Sequence, residues 1–260
     1  MKIQNEPFYK SLSHEKEVFE HCAKNKLPIL LKGPTGTGKS RFVEHMAFHL
    51  DKAIYTVACH EETSSTDLLG RFMIKGGETI WVDGPLTKAV KEGAIIYLDE
   101  IAEARPDVIV AIHPLTDFRR TIYLDKLGEE IEAHPDFLFV ASYNPGYQAG
   151  FKELKPSTRQ RFVALSFKYP NEPDELEILV QETGIDAKTG KKLVKIATKI
   201  RNLTTLRLTE TVSTRLLVDA ALLIKGGLGK RLSVECAILE PLSDDVDILQ
   251  ALRDISNLMI

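Results

Sequence analysis

Short apolar runs rich in β-branched and aromatic residues recur through the first two-thirds of the chain, separated by stretches with helical spacing. Residues 27–31 read as a buried strand and 41–50 as a helix behind it. Further strands are expected at 53–59, 94–98, 137–142 and 162–167, with a short helix at 14–26 ahead of the first strand. Strands alternating with helices predict an α/β fold built on a parallel, doubly wound sheet of five strands.

The pattern changes near Tyr169-Pro170-Asn171-Glu172-Pro173. Beyond it only helical periodicity remains, over 174–183, 186–202, 211–225, 230–239 and 244–259, with Gly184 and Gly226-Gly227 as stop signals. This predicts an α/β core over 1–170 and a small all-helical lid over 171–260. Two stretches exceed what a compact core needs. Residues 66–86 carry Gly76-Gly77 between short apolar runs, and 121–133 carry Leu127-Gly128-Glu129-Glu130 between two more. Both read as hairpins inserted into the crossovers, and long exposed insertions of this kind commonly contact partners.

Strand 27–31 runs into Gly33-Pro34-Thr35-Gly36-Thr37-Gly38-Lys39-Ser40 and then a helix. That order is a Walker A phosphate loop. Its glycines let backbone N–H groups turn toward phosphates, and the helix start adds further N–H groups and a positive dipole end. Lys39 is expected on the β- and γ-phosphates and Ser40 on Mg²⁺. The run Ala94-Ile95-Ile96-Tyr97-Leu98 ends in Asp99-Glu100. A central parallel strand with two acids at its C-terminal edge puts them where open α/β sheets bind ligands. Asp99 is expected to hold Mg²⁺ through its water shell, and Glu100 to orient or deprotonate the attacking water. A metal carboxylate beside a water-activating carboxylate points to hydrolysis of ATP rather than to binding alone.

The chain has 260 residues, 43% of them hydrophobic, enough for one large domain or a large one plus a small one. A net charge of −3 and a pI of about 6.2 argue against a nucleic-acid groove. Cys22, Cys59 and Cys236 are few, odd in number and far apart, which suggests a reducing compartment and neither a disulfide framework nor a zinc site. No apolar run nears a membrane span and the N-terminus lacks a signal-peptide core, so a cytoplasmic protein is expected.

With these pieces in place the chain resembles the MoxR family of AAA+ ATPases, and within it the CbbQ/NorQ/GvpN group, most of all the CbbQ type. The residues that carry the likeness are the Walker A loop, 67–72, 83–86, 97–100, Ser142-Tyr143-Asn144-Pro145-Gly146-Tyr147, 156–162 and 212–217. The resemblance implies a ring, a hexamer, with ATP at subunit interfaces. It implies that Asn144 is sensor 1, that Arg161, with Arg159 beside it, is an arginine finger reaching a neighbour's γ-phosphate, and that Arg215 is sensor 2. It makes the two insertions a helix-2 insert and a pre-sensor-1 hairpin on the pore or client side. It implies a remodelling chaperone: a Rubisco activase acting with a von Willebrand A-domain adaptor, CbbO, on inhibited Rubisco. The alternative is NorQ-type maturation of nitric oxide reductase with the adaptor NorD. A DNA-dependent motor is the reading of another class, and a nucleotide-gated assembly protein a third.

Other residues carry weaker signals. His45 and His49 stand four apart on the helix after the Walker A loop, a spacing that can serve a metal, but no third ligand follows in sequence. They read as packed or surface histidines. His60 and His113 fall near the nucleotide edge without a specified role. Trp81 and Phe72 are expected to pack their hairpin on its own domain. Arg119-Arg120 fits a solvated turn as well as a partner contact.

Overall fold

The computed structural model describes residues 2–145, 154–203, 208 and 210–259. Gly146 and Tyr147, the end of the motif that begins at Ser142, lie outside them. The first half runs α1 (Glu15–Lys24), β1 (Ile29–Lys32), α2 (Lys39–His49), β2 (Ile54–Ala58), α3 (Ser65–Leu69), β3 (Gly70–Lys75), β4 (Glu78–Asp83), α4 (Pro85–Glu92) and β5 (Ile95–Asp99). It continues with α5 (Pro106–Ile112), β6 (Thr121–Leu124), β7 (Glu129–Glu132), β8 (Leu138–Tyr143), α6 (Pro156–Arg159) and β9 (Val163–Ser166).

Five of these strands form one parallel sheet in the order β2-β5-β8-β1-β9. Ladder limits follow local chemistry. The first strand starts at Ile29 because Pro28 has no N–H to donate; its carbonyl instead accepts from Val163 N–H at 2.9 Å. Side chains alternate between two cores, as the strand period requires. Leu30, Ile96, Leu98, Phe139 and Ala141 pack on one face, and Ile29, Leu31, Ile95, Tyr97, Leu138 and Val140 on the other. Each fully buried large side chain contributes roughly 1.5–3 kcal/mol. Burial on both faces is why the central strands read as unbroken apolar runs.

The register sets the functional edge. Lys32 lies opposite Tyr143 and Leu98 opposite Ala141. The residues that follow β1, end β5 and follow β8 therefore leave the sheet side by side. Both expected hairpins are present as separate two-stranded sheets. The β3–β4 turn is Gly76-Gly77, both with positive φ, which suits a two-residue hairpin. Trp81 packs on the core and donates to Asp83 at 2.7 Å, while Phe72 meets it edge-on at 5.2 Å and stays half-exposed. In the second hairpin Leu127 turns back onto the core and Glu129 is exposed, so Leu127 is not the projecting tip residue its position suggests.

The chain divides into two compact units: Met1–Gly33 with Gly38–Phe167, and Pro34–Thr37 with Lys168–Ile260. The second carries α7 (Glu172–Thr183), α8 (Ala187–Arg201), α9 (Thr214–Lys225), α10 (Lys230–Val234) and α11 (Val246–Asn257). Asn171, Asp186, Ser213 and Asp245 cap α7, α8, α9 and α11 with side-chain oxygens, and Gly184 ends α7 in the left-handed conformation. A cap of this kind contributes about 1 kcal/mol. The expected helix over 230–239 changes at Glu235–Leu239 to a π-helical turn. Ala237, Ile238 and Leu239 are all buried, and the wider turn lets successive side chains share the core face. Glu175 is fully buried on α7. It receives both terminal nitrogens of Arg201 at 2.7 Å and the Thr214 hydroxyl at 2.7 Å. Breaking such a buried pair costs about 3–5 kcal/mol. Among the described residues no helix is long and apolar enough to cross a membrane.

Candidate active site

The glycine loop is shaped by close approach. A Cβ on Gly33 would sit 2.4 Å from the Phe167 carbonyl oxygen, and Gly33 N–H donates to the Tyr143 carbonyl at 3.3 Å. Gly36 has φ +71° and lies against Ser213, so a side chain there meets both strain and collision. The Thr37 hydroxyl donates to the Pro34 carbonyl at 2.8 Å and closes the turn. Tyr169 O–H donates to the Thr35 carbonyl at 2.9 Å, and the Thr35 hydroxyl to Glu210 at 3.0 Å. Gly38, at φ +87°, precedes α2, which has neither a side-chain cap nor an acid in its first turn. Its leading N–H groups and positive dipole end suit phosphate oxygens. Lys39 is buried, and its ammonium donates to the Gly33 carbonyl at 2.7 Å.

Asp99 ends β5 inside a ring of hydroxyls. Ser40 donates to its Oδ2 at 3.1 Å and Tyr97 to its Oδ1 at 2.8 Å, while Ser142 makes a further, short bond to Oδ1. Ser142 also accepts the Glu100 N–H at 3.2 Å. Glu100 itself has φ +52°, a conformation that costs a non-glycine residue about 1–3 kcal/mol and clusters at functional sites. Its Oε2 accepts the Asn144 N–H at 3.2 Å. Burial pushes the Glu100 carboxyl above the usual carboxylate range; Asp99 adds to the rise and the Lys39 ammonium opposes it. Cys59, buried beside these acids, has its thiol pushed up to about 12, chiefly by burial. The site thus gathers Lys39, Ser40, Asp99, Glu100 and the Asn144 backbone at one sheet edge. Tyr97 and Ser142 were not expected there. Tyr97 sits in an apolar strand run, and only the strand register brings Ser142 to Asp99.

Arg161 donates to Asp117 Oδ2 at 3.0 Å, and Arg119 holds the same carboxylate at 2.7 Å. These guanidiniums keep Asp117 well below the usual carboxylate range, Arg119 foremost. His113 lies 3.5 Å from the Thr158 hydroxyl, and its pKa is depressed, first by burial and then by Arg161. Arg120 is spent on structure, donating to the Lys26 and Phe137 carbonyls. Arg159 and Arg215 are exposed, and neither guanidinium has a hydrogen bond or ion pair among the described residues. The His60 N–H donates to Thr63 Oγ1 at 2.9 Å and its ring accepts from Glu62 N–H at 3.3 Å, a local turn.

A P-loop entering a helix, an Asp-Glu pair at the end of β5, with β8 between it and β1, and a helical second unit define an AAA+ ATPase. The chain matches the AAA domain of the dynein-related subfamily over residues 28–162 and the CbbQ/NirQ/NorQ C-terminal family over residues 175–259. It is 56% identical to protein NorQ of Paracoccus denitrificans, across 96% of this chain and 93% of NorQ. It is 52% identical to protein CbbQ of Hydrogenophilus thermoluteolus, across 96% and 94% of the two chains. Identity with the denitrification regulatory protein NirQ of Pseudomonas aeruginosa is also 52%, across 98% of each. A solved RuvB mutant of Thermotoga maritima shares the fold, with a TM-score of 0.55 at 16% identity over 94% of this chain and 69% of that one. The chain belongs to the CbbQ/NirQ/NorQ family of MoxR-type AAA+ ATPases.

Proposed function

We propose that this chain is the ATP-hydrolysing motor of a ring that remodels a partner enzyme. In this reading the unit built on the sheet, expected over 1–170, binds nucleotide and the helical part, 171–260, acts as its lid. The Gly33–Gly38 backbone and Lys39 hold the phosphates. Glu100 takes the proton of the attacking water, and Asn144 orients that water or the γ-phosphate. Arg161, with Arg159 beside it, completes the site of the next subunit, and Arg215 contacts nucleotide as sensor 2. What supports the reading most is the convergence of Ser40, Asp99 and Glu100 at the exit of β1 and β5.

An all-oxygen donor set fits Mg²⁺. Ser40 would hold the ion directly and Asp99 through its water shell. When bound it supplies charge neutralisation to the phosphate oxygens. Ser142 would orient the carboxylate. Ser142→Ala removes one donor to Asp99 and leaves the Glu100 N–H without its acceptor. Outer contacts of metal carboxylates are worth roughly 10–100-fold in activity. Turnover should fall by that order while ATP affinity holds, measured by phosphate release and nucleotide titration. Wild-type turnover would remove Ser142 from the site.

For the client, the resemblance to CbbQ leads first to Rubisco, with a CbbO-like adaptor. The 56% identity to NorQ and the 52% identity to a denitrification regulator favour nitric oxide reductase with a NorD-like adaptor as the second reading. Each predicts ATP-dependent recovery of its own inactive enzyme with the matching adaptor, so running both separates them. DNA-stimulated hydrolysis would instead promote the DNA motor. In either chaperone reading the exposed hairpins work on client or adaptor. Charge reversal at Lys126 and Glu129, both exposed at the second hairpin, should leave basal hydrolysis within about twofold and cut client activation at least tenfold. Parallel loss of assembly, hydrolysis and activation would make the hairpin a buttress of the ring.

A further inference from the structure

His45 and His49 share a face of α2, and the sequence offers them no third ligand. The fold supplies one from the N-terminal segment. One nitrogen of each ring and one carboxylate oxygen of Glu6 lie within 4.8 Å of one another. His49 Nε2 is 2.9 Å from Glu6 Oε1, and His45 Nδ1 is 3.8 Å from the same oxygen. Ligands of one tetrahedral zinc, each about 2.0–2.1 Å from the metal, stand roughly 3.3 Å apart. The His49–Glu6 spacing of 2.9 Å is close to that value.

The His45 ring adds a second observation. It is 3% exposed, and its Nε2 is buried without a hydrogen-bond partner among the described residues. A buried polar atom left unpaired is destabilising. The His45 Nδ1 donates to the Pro7 carbonyl at 3.0 Å, which leaves the lone pair on Nε2 and orients the ring as backbone carbonyls orient ligating histidines.

We propose that Glu6, His45 and His49 form a zinc-type divalent metal site that straps the N-terminal segment to the helix leading from the Walker A loop. Two imidazoles and one carboxylate select zinc-like ions over Mg²⁺, which prefers oxygen alone. The strap is already seated, since the Tyr9 ring packs tilted against Phe42 and His45 with ring centroids 5.1 and 5.5 Å away. The metal would lock it.

The test is a Zn²⁺ titration of the full chain after chelator treatment, in Mg²⁺- and nucleotide-free buffer. One Zn²⁺ per chain at micromolar Kd or tighter is expected, undiminished by millimolar Mg²⁺. Glu6→Ala and His49→Ala should each weaken it at least tenfold while ATP hydrolysis is retained. Both side chains are about half-exposed, so folding is not at stake. In the wild type alone, Zn²⁺ should slow hydrogen exchange of the amides of residues 2–10. Absence of stoichiometric binding would overturn the site. So would unchanged affinity in both variants, which would put the ion elsewhere, for instance on the exposed Cys236.

Discussion

Glu100→Gln is expected to bind ATP as the wild type does and to lose steady-state hydrolysis by about 10²–10⁴-fold. Glutamine keeps the shape and can still accept the Asn144 N–H, but it cannot take a proton from water. The raised carboxyl carries two further consequences. A base must be ionised to act, so the acid limb of kcat should lie above the ordinary glutamate value of about 4.3 and vanish in the variant. The folded-state pKa lies above the unfolded one, so protonation favours folding. That stabilisation is full below the unfolded value and is lost as pH rises through the folded one. At neutral pH the buried charge therefore opposes folding, and Glu100→Gln should raise Tm. Wild-type hydrolysis by the variant would remove Glu100 as the base; an unchanged or lower Tm would contradict the cost of its burial.

Arg161→Ala is expected to lose turnover by on the order of 10³–10⁵-fold, the range of arginine fingers, with ATP binding by the subunit unchanged. In the isolated chain the guanidinium rests on Asp117, which also holds Arg119; in the proposed ring Arg161 would exchange that carboxylate for a neighbour's phosphate. Arg159, exposed and without an ion pair, should matter less. In the proposed ring the finger acts on another subunit's nucleotide, so mixing Arg161→Ala with Glu100→Gln chains should restore part of the activity. An interface with both an intact finger and an intact base forms only in mixed rings. No recovery in rings proven to exchange subunits would contradict a shared site.

Much of this was legible because the residues concerned are contiguous. The Walker A loop is one segment, and Asp99-Glu100 closes a run whose apolar character comes from burial on both faces. The five core strands and the helices of the second unit announce themselves by the same logic. What stayed hidden depends on separation in sequence. Ser142 meets Asp99 only through the register of β5 and β8. Glu175 looks like a solvent-facing acid until Arg201 and Thr214 arrive from other helices. Glu6 lies in a segment with no periodicity, so nothing tied it to His45 and His49. Leu127 sits at a turn, where polarity patterns say little about which side chain folds back.

The most direct measurement of the central claim is recovery of an inactive client enzyme by the wild-type chain with its adaptor and ATP, beside Glu100→Gln under the same conditions. Inhibited Rubisco and immature nitric oxide reductase are the two clients to present. Recovery of one of them is predicted with the wild type and ATP, and none with ADP or with Glu100→Gln. Recovery by Glu100→Gln at the wild-type rate would contradict an ATP-driven motor, as would ATP hydrolysis by the wild type that activates neither enzyme.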